Sequence, residues 1–249
     1  MPVSASSAVD KALDLVEAVA DAAVPLRLSE AAARTGLHRA TAYRVLAGLV
    51  ERGWVTRVGE RYLPGTVLVR VAREAPGRSL AALGLPVLEE LAAGTGMMAN
   101  LQVLTADRSR VVEVVRPARL SMISDLRGEL LPAHRFAGPA ALVAALDAAG
   151  RAPYLAAAEA DGAVPAGPDG LVAVLDEAAV SGFALQRGLA ERLIASLGRA
   201  VLLEPGTAPV CALTLVGPVD EFDEARLPGL RAALAGACDR LGAVLAGAV

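Results

Sequence analysis

The sequence predicts an α+β protein in two parts. An N-terminal winged helix-turn-helix comes first, followed by a larger C-terminal domain whose mainly antiparallel sheet is packed by helices. Three observations predict this. Residues 26–63, LRLSEAAARTGLHRATAYRVLAGLVERGWVTRVGERYL, read in order as short helix, tight turn, longer basic helix and two-stranded hairpin. Beyond residue 79, β-rich stretches joined by short turns alternate with helical ones. The charge also divides there: residues 1–78 hold 11 basic and 8 acidic side chains, a net +3, whereas 79–249 hold 13 and 19, a net −6. A basic front and an acidic back suit a protein that meets a polyanion at one end.

Residues 1–5 are expected to be disordered. Ser6 or Ser7 caps a first helix in which Val9, Leu13, Val16 and Ala20 form an apolar stripe that packs under the basic helix. Pro25 separates it from the next helix, whose N-cap is expected at Ser29 and whose stop is Gly36. The basic helix spans His38 to Arg52 and buries Ala42, Val45, Leu46, Leu49 and Val50 at helical spacing. Its other face carries His38, Arg39, Ala40, Thr41, Tyr43, Arg44 and Ala47. That face is small near its start and rich in donors, which suits a major groove. Trp54–Val58 and Arg61–Leu63 close a hairpin around Gly59-Glu60, with Arg57 and Arg61 near its tip, within reach of phosphate or a minor groove. Thr66 to Glu74 reads as a linker helix ended by Ala75-Pro76-Gly77.

The C-terminal part opens with an amphipathic helix over 79–94. Pro86 inside it costs about 3 kcal/mol, so a kink or a late start is expected. Strands follow over 98–104, 110–116 and 120–126, the first two joined by Thr105-Ala106-Asp107. Helices are expected over 138–149, 153–160 and 171–180, with a Gly/Pro loop at 161–170. Strands over 183–187, 193–203 and 210–216 come next, the last two flanking Glu204-Pro205-Gly206-Thr207. A final helix covers about 224–246.

Composition excludes several classes. No run approaches the ~20 apolar residues of a membrane span. No basic segment followed by an apolar block marks a secretory signal, so a cytoplasmic chain is expected. Cys211 and Cys238 sit in apolar surroundings and read as buried thiols. Two distant histidines and two cysteines leave no zinc-type spacing, so neither metal nor cofactor is expected. There is no G-x-S-x-G elbow, P-loop, dinucleotide fingerprint or H-E-x-x-H, which argues against an enzyme. One Lys against 23 Arg fits a GC-rich coding sequence, so the arginine total alone says little about nucleic acid.

The stretch resembles the DNA-binding domain of the IclR family of bacterial transcriptional regulators. The matching residues are Ser6-Ala8-Val9, Lys11-Ala12-Leu13, Leu28-Ser29, Ala33-Arg34-Thr35-Gly36-Leu37, Thr41, Arg44-Val45-Leu46, Leu49-Val50, Gly53-Trp54-Val55, Arg61-Tyr62 and Gly65. Further on, Leu85 to Ala92 with Thr95-Gly96, Leu131-Pro132-Ala133-His134, and Ala212-Leu213-Thr214 with Gly217-Pro218 resemble that family's effector domain.

The resemblance implies a DNA-binding domain over 1–63, a linker helix over 64–78 and a GAF-like effector and oligomerisation domain over 79–249. It implies double-stranded operator DNA of pseudo-palindromic form as one partner and a small-molecule effector as another. It also implies a homodimer or dimer of dimers. By motif, the pocket positions are Leu120, Met122, Ala137, Gly138, Leu197, Thr214 and Val216, with His134 beside them. The family often has Cys where Leu197 stands and Ser at Thr214 and Val216. Leu197 and Val216 offer no donors for a carboxylate, which points to a more apolar effector. Met97, Met98 and Met122 are adaptable lining candidates, and Arg135, Arg187 and Arg192 are candidate anion contacts. The same residues would also serve as ordinary core and solvated surface. A DNA-binding architectural protein without ligand and, more remotely, a small hydrolase remain as alternatives.

Overall fold

The computed structural model describes residues 7–74, 76–164, 166–167, 170–204 and 206–247. The expectations for residues 1–5, for Ser6 as a cap, for Ala75 in the helix stop, for 165, 168 and 169 in the Gly/Pro loop, and for Pro205 in the hairpin turn lie outside them. The chain divides into two compact units, Met1–Pro76 and Gly77–Val249.

The first unit contains α1 (Ala8–Ala20), β1 (Leu26–Arg27), α2 (Leu28–Thr35), α3 (Arg39–Glu51), β2 (Val55–Val58), β3 (Arg61–Pro64) and α4 (Thr66–Glu74). Ser7 and Asp10 cap α1 reciprocally. The Ser7 amide donates to Asp10 Oδ2 at 2.7 Å, and the Asp10 amide donates to Ser7 Oγ at 3.1 Å. The expected stripe is shifted around this helix. Leu15 and Val19 are buried with Ala12 and Val16 beside them, while Val9 and Leu13 are exposed. Helix α2 starts two residues earlier than a cap at Ser29 would allow. Its N-cap is Arg27, whose amide donates to Glu30 Oε2 at 2.6 Å, so a carboxylate three residues on does what a serine hydroxyl was expected to do.

Gly36 ends α2 in the left-handed region, φ 65°, and the Leu37 amide closes back on the Ala32 carbonyl at 3.0 Å. The wing has three strands in the order β1-β3-β2, all antiparallel neighbours. At two residues, β1 is too short to show an alternation in sequence. Leu15, Leu26, Ala42, Leu46, Val55 and Tyr62 share one core beneath these elements.

The second unit runs from α5 (Pro76–Thr95) through β4 (Met98–Thr105), β5 (Arg108–Val115), β6 (Leu130–Leu131), α6 (Ala137–Ala144), α7 (Ala148–Ala160), α8 (Leu171–Ser181), β7 (Ala184–Arg187), β8 (Ile194–Val201) and β9 (Cys211–Pro218) to α9 (Leu227–Leu245). The sheet order is β6-β5-β4-β9-β8-β7, antiparallel throughout. Helix α5 passes unbroken through Pro86, so the late start does not occur. The burial of Val87, Leu88, Leu91 and Ala92 offsets the lost backbone bond.

The strand expected over 120–126 is absent. A 3-10 turn at Ala118–Leu120 and further turns replace it. The buried residues there, Leu120 and Ile123, are spaced three apart rather than two, and Met122 is 90% exposed. Arginines hold this loop on the end of β5: Arg116 donates to the Ile123 carbonyl, and Arg127 reaches Glu113 at 2.6 Å and the Val114 carbonyl at 2.9 Å. The helix expected over 138–149 stops at Ala144. Asp147 then caps α7 by accepting from the Gly150 amide at 2.7 Å, so α7 begins five residues before the expected Pro153.

The sheet has two unlike faces. Met97, Ala99, Leu101, Ala195, Leu197, Leu213 and Leu215 pack with Leu88 and Leu91 of α5 and Leu230, Leu234 and Leu241 of α9. The alternate residues of the same strands face α6 and the loops around it. Cys211 and Cys238 are buried on the α9 side, and burial pushes both thiols up to about 12, which keeps them protonated and inert.

Candidate functional site

In the first unit, the burial of Ala42, Leu46 and Leu49 fixes which side of α3 faces outward. His38 is its N-cap, and His38, Arg39, Ala40, Tyr43 and Arg44 are exposed, with Thr41 half-buried. Tyr43 keeps 50% of its surface. Among the described residues, neither the Arg39 nor the Arg44 guanidinium has a hydrogen-bond or ion-pair partner within the protein. Two unpaired guanidiniums and a phenol on one helix face form a donor surface with nothing of its own to bind. At the wing, Gly59 turns the hairpin at φ 59°. Arg57 bends back there: its Nε donates to the Gly59 carbonyl at 2.8 Å and its guanidinium lies 5.9 Å from the Tyr62 ring centre. Arg61 is tied inward, Nη1 to the Pro25 carbonyl at 2.7 Å, so it braces the wing against the loop before β1.

In the second unit, a cavity of about 580 Å³, its open mouth included, lies between the sheet and α6. Of the expected pocket positions, Ala137, Gly138, Thr214 and Val216 border it; Leu120, Met122, His134 and Leu197 do not. Leu120 is buried with Met98, Val111 and Ile123, and Met122 points to solvent. Leu197 is fully buried on the opposite face. The register explains this: Ser196 pairs with Val216 and Gly198 with Thr214, so these four share a face and Leu197 takes the other. His134 is drawn instead toward Asp161, Nε2 to Oδ2 at 3.9 Å, and burial lowers its pKa.

Among the other candidates, Met98 lines the cavity and Met97 sits on the core face. Arg135 stands at the mouth, while Arg187 donates to the Phe222 carbonyl at 2.8 Å and Arg192 does not border the space.

Glycines bring α6 down onto the sheet. A Cβ on Gly198 would sit 2.5 Å from the Ala137 carbonyl oxygen, and one on Gly138 would sit 2.5 Å from Thr214 Oγ1 and 2.6 Å from Gln102 Nε2. The cavity floor is therefore formed by the first turn of α6 resting on β8 and β9.

Its inner wall is polar but uncharged. Ser109 Oγ donates to Gln102 Oε1 at 2.7 Å, and Gln102 Nε2 donates to Asn100 Oδ1 at 2.8 Å. Gln186 Nε2 donates to the Ala133 carbonyl at 3.1 Å, and Ser196 Oγ accepts from the Ala137 amide at 3.3 Å. Two buried atoms of this wall, Gln186 Oε1 and Thr214 Oγ1, have no partner. Met98, Ile123, Leu126, Leu131, Phe136 and Ile194 complete an apolar lining. Sequence reasoning passed over Asn100, Gln102, Gln186 and Ser196. Their signal was present: polar residues two apart in an otherwise apolar strand place amides on a single face.

The first unit matches the description IclR helix-turn-helix domain over residues 8–59, and the second matches Bacterial transcriptional regulator IclR C-terminal over 73–242. No curated protein matches the chain. Solved structures share the fold. A Rhodococcus regulator described as IclR-family is 25% identical, with 98% of this chain and 96% of that one covered and a TM-score of 0.71. The Thermotoga maritima IclR is 20% identical, with 96% and 98% covered and a TM-score of 0.61. An IclR homologue from Microbacterium hydrocarbonoxydans, complexed with 4-hydroxybenzoate, is 21% identical, with 95% and 100% covered and a TM-score of 0.55.

Proposed function

The chain belongs to the IclR family of bacterial transcriptional regulators, and on that premise we propose that α3 reads operator DNA while a small, largely apolar molecule in the cavity under α6 tunes that binding. Two copies, as a homodimer or dimer of dimers in the cytoplasm, present two α3 helices to the half-sites of a pseudo-palindrome. Arg39 and Arg44 contact guanine edges or phosphate, Thr41 and Tyr43 add contacts beside them, and His38 and Ala40 let the helix start approach closely. Arg57 supplies a phosphate contact at the wing. Arg61 acts through the wing's shape, since its guanidinium is already engaged.

The observation that carries the DNA reading is the pair of unpartnered arginines on the outward face of α3. The cavity supports an effector over a purely architectural role, because bending DNA needs no recess with unsatisfied polar atoms. Its aliphatic and aromatic lining supports an apolar body for the molecule. The 4-hydroxybenzoate complexed with the Microbacterium homologue is an aromatic ring with polar ends, a combination that suits a lining of apolar side chains and a few polar groups. An effector shifts the regulator only by binding its DNA-competent and DNA-incompetent forms unequally.

Arg44→Ala tests the docking. Its exposed position predicts an unchanged fold by circular dichroism and about tenfold or greater loss of affinity for the protein's own promoter, the cost of one arginine contact. Unchanged affinity in a gel shift at fixed salt would remove α3 from the groove.

A further inference from the structure

Resting on the effector reading above, we propose that the molecule this cavity takes is uncharged and delivers a hydrogen-bond donor, a hydroxyl or an amide N–H, to Gln186 Oε1, with Thr214 Oγ1 as a second polar contact in the same lining. The orientation of Gln186 decides the polarity of this contact. The Ala133 carbonyl can only accept, so Nε2 faces it at 3.1 Å and Oε1 is left buried and unpaired at the cavity wall. An amide oxygen is satisfied only by a proton donor. Thr214, 1% exposed, is likewise unpaired at its hydroxyl and lines the same cavity from β9, with β8 between it and Gln186. Buried polar atoms in native proteins nearly always have partners, and both orphans border the same recess.

The neighbouring groups argue against an anion. Gln102 is locked between Ser109 and Asn100, and the chain of donors leaves the Asn100 Nδ2 group free for an acceptor. That group matches the lone pair of a hydroxyl or the carbonyl of an amide as well as a carboxylate. The first turn of α6, which elsewhere would cradle an anion, leaves a single amide, that of Gly138, at the cavity. The Ala137 amide is given to Ser196, and Pro139 has none. Arg135 is exposed at the mouth, donates to the Ala190 carbonyl at 3.2 Å, and shares that rim with Glu191, so the cavity carries no net charge to balance a carboxylate. An ionised acid would bring no proton to Gln186 Oε1 and would set one bare oxygen against another. A hydroxyl both donates and accepts, which is what the inner wall lacks.

The test is calorimetric titration of the full chain with benzyl alcohol, benzamide, benzyl methyl ether and benzoate. These share one ring and differ in donor and charge. Benzyl alcohol and benzamide should bind at least about tenfold more tightly than the ether or benzoate, the loss expected when a buried acceptor goes unmet. Thr214→Val, nearly isosteric, should narrow the alcohol-over-ether preference about three- to tenfold, and Gln186→Leu provides the same reading should that variant fold poorly. Val216→Trp, which fills the cavity, should abolish binding of the alcohol. Alcohol binding that survives Val216→Trp, or an ether that binds as well as the alcohol, overturns the proposal. Benzoate binding tightest and vanishing with Val216→Trp overturns the proposed class while leaving the effector reading intact. Binding of none of the four, with operator affinity retained, removes both the class and the effector role of this cavity.

Discussion

Leu197 and its neighbours show what one position in a strand decides. Ser196 and Gly198 look into the cavity, and Leu197, between them, has no exposed surface and packs among Leu213, Leu215 and the α5 and α9 side chains. A resemblance by motif places Leu197 in the pocket; the alternation of side chains places it outside. Leu197→Ser therefore acts on stability rather than on ligand response. It deletes a buried isobutyl group and leaves a hydroxyl without a partner, which together cost about 4 kcal/mol. Urea denaturation should show that loss, while the benzyl alcohol affinity of the remaining folded protein stays within about twofold, an allowance well below the effect of losing one hydrogen bond. A variant of native stability with altered ligand response would put Leu197 back at the cavity. The arginines of α3 differ in this respect. Their exposure followed from the helical spacing of Ala42, Leu46 and Leu49, a pattern that needs no partner strand to interpret.

Elements with a strong local signal were legible in the sequence. The left-handed stop at Gly36, the helix α3, the Gly59 turn and the hairpin of β4 and β5 all follow from residues close together in the chain. Elements set by distant contacts were not. The segment after Pro117 looks strand-like because Leu120, Met122, Ser124 and Leu126 alternate, yet Arg116 just past β5 and Arg127 of the segment itself, which reaches back to Glu113 and Val114, gather it into turns. β1 exists only because β3 pairs with it. The cavity depends on a tertiary approach too, that of α6 to β8, and glycine makes it possible. Gly198 is not in a left-handed conformation; what it supplies is space, since its absent Cβ would meet the Ala137 carbonyl at 2.5 Å. Gly198→Ala should therefore lift the start of α6, cost about 1–3 kcal/mol by overpacking, and break the Ala137–Ser196 bond. Hydrogen exchange at the Ala137 and Gly138 amides reads this directly. Protection equal to that of the native protein would mean that α6 is held by something other than this contact.

On the scale of the whole second unit, three described groups shape the acid response. Arg108 holds Asp161 through two bonds of 2.7 and 2.9 Å, which ties the end of α7 to the start of β5 and keeps the Asp161 carboxyl below its usual range. Glu221, bridged by Arg119 at 2.7 Å and Arg226 at 2.6 Å, is lowered in the same way, chiefly by Arg119. His134 is lowered for a different reason: burial disfavours its charged form, and Asp161 only partly compensates.

The three groups give stability terms of one sign in two pH windows. Between its lowered native value and the ordinary 6.5, His134 binds a proton in the unfolded chain and not in the folded one, so stability falls as pH drops below about 6.5. The carboxylates are charged in both states until the unfolded ones begin to protonate, so their stabilisation persists down to the normal carboxylate range. It is lost below that, as pH falls through their lowered native values. Urea midpoints followed by circular dichroism from pH 8 to pH 3 should therefore decline in two stages. His134→Asn should chiefly flatten the upper stage, and Arg108→Met should weaken the lower one. The His134 assignment fails if the asparagine variant keeps the slope between pH 6.5 and 5, because no other group in this unit with a resolved shift titrates there by burial.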